Sequence, residues 1–161
     1  KSSHVGQHEQ REKIMTTTKG PERVENMVKV LRQWQGIERQ AMNDMAEIME
    51  TAKNPLIRMV MEIIRHDSLM HHRVQQFLID SVTEKDVTLS REDVAEIWEK
   101  IEAHDKVEKK TIELARSLRD EAISPVHKQL LDYLLTDESK HDTLLGQLEE
   151  VKKDMTRASG G

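Results

Sequence analysis

The chain contains no cysteine. Disulfide bonds, zinc–thiolate sites, thiol catalysis and iron–sulfur clusters are therefore excluded for its 161 residues. The lack of a disulfide framework also fits a reducing compartment, so we expect a cytoplasmic protein.

Aromatic side chains, proline and long apolar runs are scarce as well. Aromatic residues make up 2% of the chain and there are three prolines, a composition that favours helices over sheets. No apolar run approaches the ~20 residues that a membrane-spanning helix needs, so we expect no membrane partner. The net charge is −5 and the basic residues are spread along the chain. This distribution disfavours nucleic acid as a partner.

The apolar residues recur at helical spacing and predict four long helices. Their predicted ranges are 22–52, 56–81, 91–122 and 125–155. Breaks are predicted at Asn54-Pro55 and Ser124-Pro125, where a proline can begin a helix after an N-cap residue. Residues 90–93 resemble a capping box with Asp in place of Glu. Trp34 and Trp98 are interpreted as core residues.

The predicted domain is an all-α four-helix bundle over residues 22–155, built from two similar helical hairpins. Residues 1–21 are predicted to form a polar N-terminal arm, and residues 156–161 a flexible C-terminus. Short connections within each hairpin favour this architecture. A two-fold relation between the hairpins requires a crossover between the second and third helices. An up-down-up-down bundle remains open, because it places the same residues at mid-height.

The second half of the sequence repeats the first after 70 residues, without a gap between Leu31 and His71. The shift aligns Glu38 with Glu108, Pro55 with Pro125, Asp67 with Asp137, and His71 with His141. A shift of 64 instead aligns Glu38 with Glu102. We prefer 70, because 64 breaks the register between the second and fourth helices.

Five polar residues interrupt the apolar stripes at similar depth along the four helices. They are Glu38, His71, Glu108, Glu138 and His141. A buried carboxylate is very costly without a partner, so several converging on one layer call for a positive charge. A metal cation neutralises carboxylates and also accepts imidazole nitrogen. The pattern therefore predicts a metal site at the centre of the bundle.

Over residues 22–155 the chain resembles the ferritin-like superfamily, especially its rubrerythrin-like and ferritin-like di-iron proteins. The resemblance is carried by Glu38, Glu108, the segment 67–71 and the Asp-Glu-Ser-Lys-His segment 137–141. It implies terminal ligands at Glu38 and Glu108, histidine ligands at His71 and His141, and a bridging carboxylate at Glu138. It further implies iron as the cofactor, and oxidation of Fe(II) or reduction of peroxide as the activity.

The chain departs from the family pattern at Ser68, where a second bridging glutamate is expected. The site then holds two metal ions with one bridge, holds one ion, or is degenerate. Asp67 can substitute as a ligand, or Asp67 and Asp137 can accept hydrogen bonds from the histidine rings. Glu102 is the substitute for Glu108 if the shift of 64 is correct.

Two functions follow from this pattern. The first is an iron-binding oxidoreductase, in which the absence of a cysteine-ligated rubredoxin site makes a separate electron donor necessary. The second is a non-enzymatic helical bundle whose decayed metal site leaves a role in dimerisation or partner binding. In both cases we expect a homo-oligomer, most simply a dimer.

Overall fold

The computed structural model describes the backbone of residues 5–84, 87 and 90–157, and the side chains of residues 20–84, 87, 90, 92–154 and 157. All regular secondary structure in these ranges is helical, so the predicted all-α class is confirmed. The helices are α1 (Val5–Thr51), α2 (Pro55–Thr83), α3 (Arg91–Ala95), α4 (Trp98–Asp120) and α5 (Pro125–Arg157). Within the described ranges, none of them combines the length and apolar character needed to cross a bilayer.

Helices α2 and α5 both begin at a proline that follows a capping side chain. Asn54 Oδ1 accepts a hydrogen bond of 2.9 Å from the Leu56 N–H. Ser124 Oγ accepts one of 3.2 Å from the His127 N–H. Proline is favourable in a first turn because its missing N–H has no intrahelical partner there. Both predicted breaks therefore lie where the sequence places them.

A capping box begins α3, as the sequence predicts. Ser90 Oγ accepts from the Asp93 N–H at 3.1 Å, and Asp93 Oδ2 accepts from the Ser90 N–H at 2.9 Å. These hydrogen bonds to Ser90 lower the pKa of Asp93. The helix is short, because a turn at Glu96 and Ile97 separates it from α4. The third predicted helix is thus two helices.

The first helix begins earlier than the sequence predicts. α1 starts at Val5 and contains Pro21 within it, so most of the segment predicted as an arm is helical. Proline indicates a helix start because it costs little in a first turn and about 3 kcal/mol in an interior. Here the helix continues through it. Residues 1–4 of the arm and residues 158–161 of the predicted C-terminus lie outside the described residues.

The chain divides into two units, Lys1–Val87 and Thr88–Gly161, which coincide with the two halves of the repeat. In the first, α1 packs against α2, and we call this pair the first hairpin. In the second, α4 packs against α5 and α3 also contacts α5, and we call this unit the second hairpin.

The contact between the helices of the first hairpin is largely polar. Its buried side chains include two apolar and four polar residues: Leu31, Ile79, Gln35, Glu38, Ser68 and Gln75. Trp34 is 50% exposed, so its interpretation as a core residue is wrong, whereas Trp98 in the second hairpin is 8% exposed. The apolar stripe of α1 is wider than the surface that one partner helix covers, and Trp34 lies outside the covered part.

Gln75 is an anomaly in this interface. Its side chain is 3% exposed, and in the described part of the chain neither its amide nitrogen nor its amide oxygen has a hydrogen-bond partner. The neighbouring Gln76 is satisfied, since its oxygen accepts from Gln35 Nε2 at 3.0 Å and its nitrogen donates to Asp80 at 2.7 Å. The repeat places Leu145 at the position equivalent to Gln75.

We predict that Gln75→Leu stabilises the protein. An unpaired buried polar group costs about 1–3 kcal/mol in desolvation, so its removal should raise the free energy of unfolding by about that amount. The matched variant Gln76→Leu should lower it, because it breaks two hydrogen bonds. Urea denaturation followed by circular dichroism measures both. A loss of stability in Gln75→Leu would show that the amide has a partner.

Candidate metal site

Three potential ligands come together in the second hairpin. Glu108 on α4 and Glu138 and His141 on α5 offer ligand atoms that all lie within 4.8 Å of one another. His141 Nδ1 is 3.6 Å from Glu108 Oε1 and 3.8 Å from Glu138 Oε2. Ligand atoms at ~2.1 Å from a shared ion lie roughly 3–3.5 Å from each other. Small side-chain movements therefore suffice to close this cluster around a cation.

Helix geometry accounts for the cluster. Glu138 and His141 are three residues apart, so they lie on one face of α5. Glu108 faces them from α4, where helical spacing predicts a buried position, and it is 6% exposed. Thr111, one turn further along α4, donates a hydrogen bond of 3.1 Å to Glu138 Oε2. This bond fixes the orientation of the Glu138 carboxyl group.

The two carboxyl groups of the cluster perturb each other. A hydrogen bond between them raises the pKa of Glu138, and burial raises it further. The same hydrogen bond lowers the pKa of Glu108, assisted by the positive charges that His141 and His104 can carry. Glu108 Oε2 is buried and has no hydrogen-bond partner among the described residues. The cluster thus holds negative charge that a cation can neutralise.

Besides Thr111, two further side chains contact the cluster from outside. Asp137 Oδ2 lies 3.6 Å from Nε2 of His141, on the opposite side of the ring from the Nδ1 atom that faces the carboxylates. His104 Nε2 lies 2.7 Å from Glu108 Oε1. The repeat places His104 at the position of Trp34, which indicates a core or site-rim role for it, whereas Thr111 stands at the position of Ala41 and is not indicated. The sequence does show that His104 precedes Glu108 by four residues and that Thr111 follows it by three. Residues at these spacings lie on the same face of a helix.

The first hairpin carries the equivalent glutamate–histidine pair with the same atoms in contact. His71 Nδ1 lies 3.2 Å from Glu38 Oε1. Ser68, at the position of Glu138, is buried and is 5% exposed. Asp67 is half-buried, and within the described side chains it belongs to no cluster of three potential ligands. The first hairpin therefore presents two of the predicted ligands, and the second presents three.

The alternative ligand Glu102 lies in a different contact. Its Oε1 accepts a hydrogen bond of 2.8 Å from Trp98 Nε1. Glu108, and not Glu102, lies with Glu138 and His141. This arrangement agrees with the repeat of 70 residues.

The pKa shift of Glu138 predicts a pH dependence of stability in the metal-free protein. Because the pKa is raised in the folded state, the contribution of Glu138 is complete below its unfolded value, about 4.5, and is lost as the pH rises through the folded value. The lowered pKa of Glu108 acts at lower pH, where its contribution is lost as the pH falls.

Glu138→Gln should therefore gain stability relative to the original chain as the pH rises from about 4.5 towards neutrality. Urea denaturation at a series of pH values measures this difference. Ser139→Ala, which changes no titratable group, should show the pH dependence of the original chain. If the difference in free energy of unfolding between Glu138→Gln and the original chain does not change with pH, the raised pKa of Glu138 is contradicted.

Comparison with protein-family models, curated proteins and solved structures finds no match to the chain. The ferritin-like resemblance therefore rests on the motif residues themselves and stays a prediction. Any function must be argued from the chemistry of the cluster in the second hairpin.

Proposed function

We propose that the second hairpin binds a divalent transition-metal cation, with iron as the leading candidate, through Glu108, Glu138 and His141. One observation supports this most strongly: the three ligand atoms lie within 4.8 Å of one another. The buried, unpartnered Oε2 of Glu108 strengthens it, because a buried anionic oxygen without a partner is costly and a cation removes that cost.

The donor set limits which ions the cluster takes. Two carboxylates and one imidazole suit Fe(II), Mn(II), Co(II) and Zn(II), whereas soft ions such as Cu(I) prefer sulfur ligands. Three protein ligands leave coordination positions for water or a substrate. Iron is favoured by the resemblance to di-iron proteins. By that resemblance, the chemistry of the site would be the oxidation of bound Fe(II) by dioxygen or peroxide.

The wider proposal is a ferritin-like four-helix bundle in which Glu38 and His71 are further ligands and Asp67 takes the place of the missing carboxylate. The glutamate–histidine pairs support it, because both hairpins join an Oε1 atom to an Nδ1 atom. A rubrerythrin-like or ferritin-like oxidoreductase of this kind would work as a dimer with a separate electron donor.

The alternative function is a helical module for dimerisation or partner binding with a degenerate site. Buried Ser68 favours it, since a short hydroxyl side chain stands where the resemblance implies a bridging glutamate. Failure to bind metal, together with a dimer in sedimentation equilibrium, would favour this function over the first.

Metal titration of the full chain tests the proposal. Under anaerobic conditions, Fe(II) and Co(II) should each bind at about one ion per chain or more, since a preformed cluster needs little rearrangement. Glu108→Gln and Glu138→Gln should each weaken binding by more than about 100-fold, because substituting even an outer hydrogen-bond partner costs roughly 10–100-fold.

Glu102→Gln is the matched control, because it removes a carboxylate from the same helix outside the cluster. This variant should keep its metal affinity within about threefold of that of the original chain. Such a change is smaller than the roughly 10–100-fold loss caused by removing a hydrogen-bond partner of a metal ligand. Absence of metal binding by the original chain would refute the proposal. If Glu102→Gln loses metal binding and Glu108→Gln retains it, Glu102 is the ligand in place of Glu108, as the repeat of 64 residues implies.

A further inference from the structure

We infer that His104 is a positioning residue that orients Glu108 for metal binding. The inference rests on the proposed metal site and specifies how the second hairpin prepares it. His104 lies one turn before Glu108 on α4, and its Nε2 is 2.7 Å from Glu108 Oε1. The imidazole is 60% exposed, whereas the glutamate side chain is 7% exposed. The contact therefore joins a solvent-facing donor to a buried carboxylate.

Burial distinguishes this contact from an ordinary surface pair. Exposed pairs four residues apart on a helix contribute only about 0.3–0.5 kcal/mol, because water competes for both groups. Water competes little for the Glu108 carboxylate. With Oε1 held by His104, rotation of the carboxyl group is restricted. The same Oε1 lies 3.6 Å from His141 Nδ1, so the contact holds the carboxyl group in the orientation that faces the cluster. A ligand carboxylate held by such a hydrogen bond is oriented before the ion arrives.

The geometry favours positioning over direct ligation. The cluster whose ligand atoms lie within 4.8 Å of one another contains Glu108, Glu138 and His141, and His104 is outside it. His104 reaches one carboxylate of the cluster and stands on its solvent side. Hydrogen-bond partners of ligands commonly occupy this position, where they fix the ligand without touching the metal.

Comparison of the two hairpins supports a role specific to the second. The repeat places Trp34 at the position of His104. Within the described side chains, Trp34 makes no hydrogen bond to Glu38, and it is 50% exposed. Glu38 is instead contacted by His71 at 3.2 Å. The first hairpin has two of the predicted ligands and lacks this contact, whereas the second has three ligands and possesses it.

Substitution of His104 with each of two amides tests the inference. The side-chain nitrogen of Gln can occupy the place of Nε2 and donate to Glu108, whereas that of Asn corresponds to Nδ1 and falls short. His104→Ala and His104→Asn should weaken Co(II) binding by the full chain about 10–100-fold, and His104→Gln should stay within about threefold. Competition with a chromogenic chelator measures these affinities.

The visible absorption bands of bound Co(II) provide a second readout that a merely structural role would not move. At saturating Co(II), the bands should shift in His104→Ala and His104→Asn and stay unchanged in His104→Gln. His127→Ala, an exposed histidine in the first turn of α5, should match the original chain in both measurements. Far-ultraviolet circular dichroism of the metal-free variants should show unchanged helix content.

The outcomes separate the inference from the proposed function. If the original chain does not bind Co(II), both fail. If Glu138→Gln abolishes binding while His104→Ala and His104→Asn bind as the original chain does, the metal site stands and the positioning role is overturned. If His104→Gln loses as much affinity as His104→Asn, the imidazole acts as a direct ligand and positioning is likewise overturned.

Discussion

Burial of the Glu108 carboxylate is the constraint on which the organisation of the second hairpin depends. A carboxylate removed from water is destabilising unless hydrogen bonds or positive charges compensate it. The hairpin surrounds Glu108 with the side chains of His104, Glu138 and His141. Within the described residues, Glu108 Oε2 nevertheless has no hydrogen-bond partner. At the proposed metal site, a bound cation would complete this compensation, and the proposed function follows from this.

The repeat shows how one helical hairpin can lead to two different arrangements. Both halves place a glutamate on the first long helix against a histidine on the second, with Oε1 facing Nδ1. They differ around that pair. The first half has Ser68 where the second has Glu138, so the first lacks the third ligand and the second can act as a metal site. The shared pair is thus common to both hairpins, and the residue beside it decides whether three potential ligands come together.

Much of this arrangement could be predicted from the sequence, because helical periodicity and two prolines determine it. Spacing alone indicates that Glu38 and Glu108 are buried, since each interrupts an apolar stripe. Other features depend on contacts that periodicity does not encode. The exposure of Trp34 depends on how much of α1 a partner covers. The repeat indicates a core or site-rim role for His104, but its contact with Glu108 is known only from the distance of 2.7 Å between them.

X-ray absorption spectroscopy of the full chain loaded with one equivalent of Co(II) tests the central claim most directly. The account predicts a shell of oxygen and nitrogen ligands with the multiple-scattering signature of an imidazole, and loss of that signature in His141→Ala. An original chain that retains no Co(II), or a His141→Ala variant that binds the ion with an unchanged imidazole signature, would contradict the account.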